Sequence, residues 1–193
     1  LIGLVGSEMC IRDRQVCAFF GAHRELDGCA VSVNFSARQF LAPDAERRVL
    51  DTLERHGLAP TRLKLELTER VLAGDIRRVR AVMEALAARG VEFYLDDFGT
   101  GYSNLSSVVS LPLQYVKVDR SLLEAATNGG GGALLLRAVV ETFRAMGRGI
   151  LLEGVETPEQ YELACTLRAD RLQGYYLARP MPGAVSYTHL RAH

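Results

Sequence analysis

Asp96 and Asp97 stand side by side at the close of the stretch VEFYLDDFG. Two adjacent carboxylates at a strand mouth repel each other, and holding them together is costly unless a cation or a shared proton neutralises them. A metal is the simpler answer. Glu66, Glu153 and the amide oxygen of Asn34 extend the set. These are hard oxygen donors with no imidazole or thiolate among them, which suits Mg²⁺ or Mn²⁺ and gives zinc no obvious ligands. Such a donor set points to phosphate chemistry. Two ions about 3.5 to 4 Å apart would hold a bridging hydroxide for in-line attack on phosphorus and stabilise the leaving oxygen. Lys117 would orient that water or stabilise charge on the phosphoryl group.

The elements that must position these groups alternate along the chain. AVSVNFS (30–36) is short and rich in β-branched residues, which predicts a strand, and a helix from Pro43-Asp44 runs to His56 before Gly57. LKLELTE (63–69) alternates apolar and polar at period two, and Val79, Val82, Met83 and Leu86 follow at helical spacing within 75–89. VEFYLDDFG predicts a strand to about Asp96, with a Gly-rich turn and a short helix near Ser103 to Ser110. Tyr115 to Asp119 is strand-like again. After the glycine run 129–132 comes a helix over 133–146. GILLEGVE and RLQGYYL then predict two more strands around a helix opened by Thr157-Pro158-Glu159.

Six strand and helix alternations with long crossovers make the class α/β with a parallel sheet. Asn34, Glu66, Asp96, Lys117, Glu153 and Gln173 fall in or at the C-terminal ends of successive strands. That arrangement suits the catalytic face of a TIM-like (β/α)8 barrel better than a switch-point crevice served by two strands. About six of eight strands are accounted for, so the barrel is expected to be incomplete, with its first strands missing.

Composition narrows the rest. The 193 residues, 48% hydrophobic, supply one domain core. Lys plus Arg equals Asp plus Glu at 23 each, which leaves no field to steer duplex nucleic acid. Cys10, Cys17, Cys29 and Cys165 form no CxxC pair and suit reduced cytoplasmic thiols. No apolar run approaches the roughly 20 residues that cross a bilayer.

The stretches SVNFSARQF, LKLELTE, YLDDFGTGYSNL, LPLQYVKVDRSLL, LLEGVETPEQ and QGYYLARPMP resemble the successive motifs of the EAL domain family of cyclic di-GMP phosphodiesterases, in that family's order and at similar spacing. A DFG triplet also occurs in protein kinases, but no HRD-type loop or Gly-rich nucleotide loop precedes this one. The resemblance implies an EAL-type barrel that binds cyclic di-GMP at its C-terminal face and hydrolyses it to the linear dinucleotide pGpG with two Mg²⁺ or Mn²⁺ ions. Residue by residue, Asn34, Glu66 and Asp96 match metal ligands, with Asp97 on the second ion. Lys117 matches the lysine that contacts the attacking water. Glu153 matches a glutamate that serves as general base or second-metal ligand. Gln173 matches the family's glutamine near the site, and Glu69 matches a glutamate that holds the loop DFGTGYSNL, whose Gly99 and Gly101 permit close approach. In the family that loop links substrate to dimerisation. Sensory or GGDEF domains often accompany it, with membrane anchoring through such other parts. The alternative is a domain without turnover that serves as a cyclic di-GMP receptor or interaction module.

The family's Glu-Ala-Leu triplet, with a following arginine, belongs on a strand before Val31, and neither Glu8 nor Glu25 has that context, so the resemblance implies that this chain lacks one metal ligand and one phosphate-binding arginine and is expected to be inactive by itself. Residues 1–14 and 185–193 do not resemble the family and read as a non-native leader and tail around an EAL fragment over 15–184. Arg120 and Glu156 read as structural ion-pair partners, Tyr175 and Tyr176 as barrel packing, and the histidines as surface groups.

Overall fold

The computed structural model describes residues 11–23, 26, 28–73, 75–100 and 108–179. Most of the leader expected over 1–14, all of the tail expected over 185–193, Glu8, Glu25, Gly101 and most of the short helix expected near Ser103 to Ser110 lie outside them. The chain divides into two compact units, the first ending at Val116 and the second beginning at Lys117.

In the first unit, helix α1 (Ile11–Ala22) precedes strand β1 (Val31–Asn34). Arg62 donates to the carbonyls of Leu26 (2.7 Å) and Cys29 (3.0 Å) and lies over the ring of Phe20, which ties the segment between them to the start of the next strand. Strand β1 pairs in parallel with β2 (Leu63–Thr68), and β2 with β3 (Glu92–Phe98), in registers that set Asn34 opposite Glu66 and Thr68 opposite Asp96. The period-two pattern then sorts the faces. Val31, Val33, Leu63, Leu65, Leu67, Phe93 and Leu95 are buried, whereas Ser32, Asn34, Lys64, Glu66, Thr68, Glu92, Tyr94 and Asp96 share the other face.

Three helices cover the apolar side. Helix α2 (Ala37–Phe40) is held by a capping box between Ser36 and Gln39, and its Phe40 packs edge-on against Phe35 at 4.7 Å and reaches Phe93 at 6.2 Å. Helix α3 (Ala45–Arg55) buries Ala45, Val49, Thr52 and Leu53, a spacing that makes one helical stripe. A hydrogen bond from Arg48, 2.8 Å away, holds the Asp44 carboxyl below its ordinary value. Helix α4 (Ile76–Ala87), capped by Asp75, buries Val79, Met83 and Leu86. At the entry to β4 (Tyr115–Val118), Gln114 N donates to Phe93 O and Phe93 N donates to the Gln114 side chain.

Strand β4 ends in the second unit, where Glu153 N donates to Val118 O (3.1 Å) and β5 (Gly149–Leu152) pairs in parallel with β6 (Arg171–Leu172). Helix α5 (Arg120–Thr127), capped by Asp119, packs on α6 (Gly132–Ala145), which buries Leu136, Val140 and Phe143. The glycine run joins them because the backbones nearly touch. A side-chain carbon at Gly132 would sit 2.2 Å from Ala125 O. Helix α7 (Pro158–Thr166) begins with a second capping box, Thr157 with Gln160.

Among the described residues there are six strands, so the expected α/β class with parallel strands holds. Several boundaries differ, GILLEGVE being strand only over Gly149–Leu152. Strand β3 runs two residues past Asp96, and RLQGYYL is extended only over Arg171 and Leu172. The short last strand has a direct cause. After Gln173 the chain turns at Gly174, which lies against the Val155 backbone, and Tyr176 N donates to Val155 O. Helix α5 has no counterpart in the sequence reading, and α1 begins at Ile11, inside the stretch expected to be leader. No helix among the described residues is long and apolar enough to cross a membrane.

Candidate functional site

In the first unit the residues singled out by type converge on one face. Asn34 ends β1 opposite Glu66, and the Ser32 hydroxyl donates to Glu66 Oε1 at 2.5 Å. Asp96, 8% exposed, lies on the same face of β3 two residues beyond Tyr94, the register neighbour of Glu66. Asp97 is the informative case. In an unbroken strand it would point with Phe93 and Leu95 toward the buried apolar side, but its φ of 56° places it in the left-handed region. That conformation costs a non-glycine residue about 1 to 2 kcal/mol. It brings a carboxylate oxygen of Asp97 within 4.8 Å of one from Asp96, while Asp97 itself stays exposed. The backbone strain and the charge repulsion both oppose this pairing, and both are offset where a divalent cation binds the two groups.

The turn after β3 is fixed to the residue that follows β2. Gly99, at φ 110°, donates its N–H to Glu69 Oε1 (3.3 Å), and Thr100 donates twice to Asp97 O. Thr68, Glu69, Arg70, Asp97 and Thr100 line a cleft of about 430 Å³ beside these carboxylates. Further from the strand ends, Lys64 is buried and ion-paired to Glu92 at 2.8 Å, and Tyr94 Oη donates to Glu92. Sequence reasoning passed over Lys64 and Ser32. The available signal was their parity with Glu66 and Asn34 in LKLELTE and VSVN.

The second unit holds the other candidates. Lys117 Nζ and Glu153 Oε1 form an ion pair at 2.8 Å, with side chains 6% and 17% exposed. Lys117 is therefore no edge-strand surface lysine. Gln173 donates its N–H to Leu152 O and lines a cleft of about 330 Å³ with Gly154, Glu156, Gly174 and Arg179. Arg120 approaches Glu156 at 3.9 Å and Glu124 at 3.7 Å, the ion pairing expected of it, and exposed enough to contribute little. Tyr175 and Tyr176 are corrected: they are 53% and 46% exposed, not barrel packing, because the turn at Gly174 carries them out of the strand. Tyr176 lies against Tyr161 at 5.4 Å, and Arg179 lies over Tyr175. His23 and His56 are half-buried, with a ring nitrogen of His23 2.7 Å from Phe19 O.

Gly154 carries the chain from Glu153 into its turn at φ 68°, with the Arg120 side chain against it. A Cβ there would sit 2.3 Å from Arg120 Cβ, so Gly154→Ala suffers both left-handed strain and a clash next to Glu153. The variant should lose about 2 kcal/mol of stability, read as a lower urea midpoint with unchanged slope.

A family model described as EAL domain matches residues 12–180. This chain belongs to the EAL domain family. It is 38% identical over 152 residues to the bifunctional diguanylate cyclase/cyclic di-GMP phosphodiesterase MucR of Pseudomonas aeruginosa, covering 79% of this chain and 22% of MucR. The fold is similar to the EAL domain of Mycobacterium smegmatis DcpA, at TM-score 0.86 and 32% identity over 93% of this chain and 82% of that one. A manganese and cyclic di-GMP complex of Klebsiella pneumoniae BlrP1 matches at TM-score 0.76 and 27% identity, over 84% and 42%. The TIM-like class expected from sequence stands with these EAL structures. The chain spans about a quarter of the length of the curated relatives MucR and an uncharacterized Azorhizobium caulinodans protein.

The letters Glu-Ala-Leu do occur in this sequence, at Glu84, Ala85 and Leu86. They lie within α4, where Glu84 pairs with Arg80 one turn earlier and Leu86 is core, so they are helix residues and not the strand-borne motif.

Proposed function

We propose that this EAL domain hydrolyses cyclic di-GMP to linear pGpG by a two-metal mechanism, with Mg²⁺ or Mn²⁺, in a cytoplasmic signalling protein. Asn34, Glu66 and Asp96 are read as ligands, Asp97 as ligand to the second ion. The donor set fits such ions, since it is all oxygen and includes a carboxylate pair that is costly without a cation. When bound, the ions supply a water acidic enough to attack phosphorus at neutral pH and shield charge on the phosphoryl oxygens.

The chain's own residues then divide the remaining work. Lys117 donates toward the attacking water, and its ion pair with Glu153 holds both side chains in place. Glu153 accepts the proton of that water or joins the second ion's ligands. Gln173 faces substrate from its cleft, and Glu69 braces the turn through Gly99. Gly101 and the rest of the loop 97–105 are assigned to the coupling of substrate with a homodimer contact, and sensory or GGDEF domains to the control of the site.

The observation that supports this most is the left-handed Asp97, which gathers two carboxylates where one would ordinarily point away. The test is release of pGpG from cyclic di-GMP, separated chromatographically, by this chain and by the same chain extended N-terminally with a Glu-Ala-Leu-Arg strand. Product that depends on Mn²⁺ and disappears with chelator is the expected result. Tight cyclic di-GMP binding with no product from either protein would replace the enzyme by a receptor.

A further inference from the structure

We propose that Ser32 is a positioning residue whose hydroxyl orients the Glu66 carboxylate for a divalent cation; this rests on reading Glu66 as a metal ligand. The register places Asn34, not Ser32, directly opposite Glu66. The Glu66 side chain therefore leans back along β2 by one pleat to meet the Ser32 hydroxyl at 2.5 Å. A hydroxyl that donates to a carboxylate makes a charge-assisted hydrogen bond, stronger than one between neutral groups.

The geometry has a chemical consequence. Glutamate has three rotatable side-chain bonds and loses up to about 2 kcal/mol of rotamer freedom when fixed. Binding Oε1 to Ser32 fixes the carboxylate before a cation arrives. An outer group that bonds one carboxylate oxygen in this way sets the direction of the other. A serine can do so without neutralising the charge, which a lysine could not. Lys64, the neighbouring cation on that face of β2, is engaged with Glu92 and with Thr61 O at 2.8 Å.

Ser32 is exposed, so losing its hydroxyl opens no core cavity. The experiment is Mn²⁺ titration of the 193-residue chain by electron paramagnetic resonance, which reads binding without turnover, for wild type, Ser32→Ala, Ser32→Thr and Glu66→Gln. Ser32→Ala should weaken Mn²⁺ binding about 10-fold at unchanged melting temperature in chelator, and Ser32→Thr, which keeps a hydroxyl, should recover most of the affinity. Wild-type affinity in Ser32→Ala, with weakened binding in Glu66→Gln, overturns the role of Ser32 and leaves Glu66 as ligand. Equal loss in Ser32→Ala and Ser32→Thr also overturns it, because the hydroxyl would not be what matters. Wild-type affinity in Glu66→Gln, or no Mn²⁺ binding by wild type, removes the ligand reading and this proposal with it.

Discussion

In the chain extended N-terminally with a Glu-Ala-Leu-Arg strand, the Asp96→Asn variant is expected to lose Mn²⁺-dependent hydrolysis of cyclic di-GMP by on the order of 10³-fold or more while folding at least as stably as the extended wild type in chelator. The two halves of that result have separate causes. An amide has nearly the shape of a carboxylate, so the site, 8% exposed at Asp96, keeps its packing. What changes is charge. Carboxylate oxygens of Asp96 and Asp97 lie within 4.8 Å. Two unit charges at that separation repel by roughly 3 kcal/mol at an effective dielectric near 20, and by less than 1 in bulk water. Removing one relieves that repulsion and also removes the main reason for a divalent cation to bind. Thermal melts in chelator and in Mn²⁺ therefore distinguish the variant from wild type without any assay of turnover. Wild type should be raised by Mn²⁺, because a ligand that binds only the folded state stabilises it, and Asp96→Asn should not. A variant that hydrolyses at the wild-type rate would remove Asp96 from the metal site.

The residue types of this site were legible because they punctuate strands. Asn34, Glu66 and Asp96 each follow an apolar, β-branched or alternating run, which is what sets them apart in the sequence. Their mutual placement was not legible. That Asn34 faces Glu66, or that Ser32 reaches a carboxylate 34 residues away, depends on inter-strand register, which period two constrains only to parity. The left-handed backbone of Asp97 has no local signal either: ending the strand at about Asp96 and turning at the following glycines leaves the sign of its φ open.

The same distinction explains the elements. Strand β2 was plain from LKLELTE, and α4 from Val79, Met83 and Leu86 at one-turn intervals. Helix α5 was missed because its eight residues are too short a window to show a helical period in the sequence. The last strand was overcalled because Tyr175, Tyr176 and Leu177 are types that favour strands. Gly174 overrides them by letting the chain approach the Val155 backbone, and all three side chains become exposed.

Lys117 was read as a catalytic group, and its burial adds a structural consequence. The Lys117→Met variant keeps the stem volume and deletes the ammonium, which leaves the Glu153 carboxylate, 17% exposed, without the cation 2.8 Å from it. Breaking one side of a buried ion pair costs about 3 to 5 kcal/mol, because the remaining charge stays desolvated. Lys117→Met should lose that much in urea unfolding, together with hydrolysis. Adding Glu153→Gln removes the stranded charge, so the double variant should recover much of the stability and none of the activity. Catalysis and stability then separate at one position: the pair is worth little to folding when both partners go, and the lost hydrolysis reports the roles proposed for Lys117 and Glu153. Equal stability of the single and double variants would mean that solvent reaches the pair freely. The activity loss in Lys117→Met would then measure a direct role for the ammonium alone.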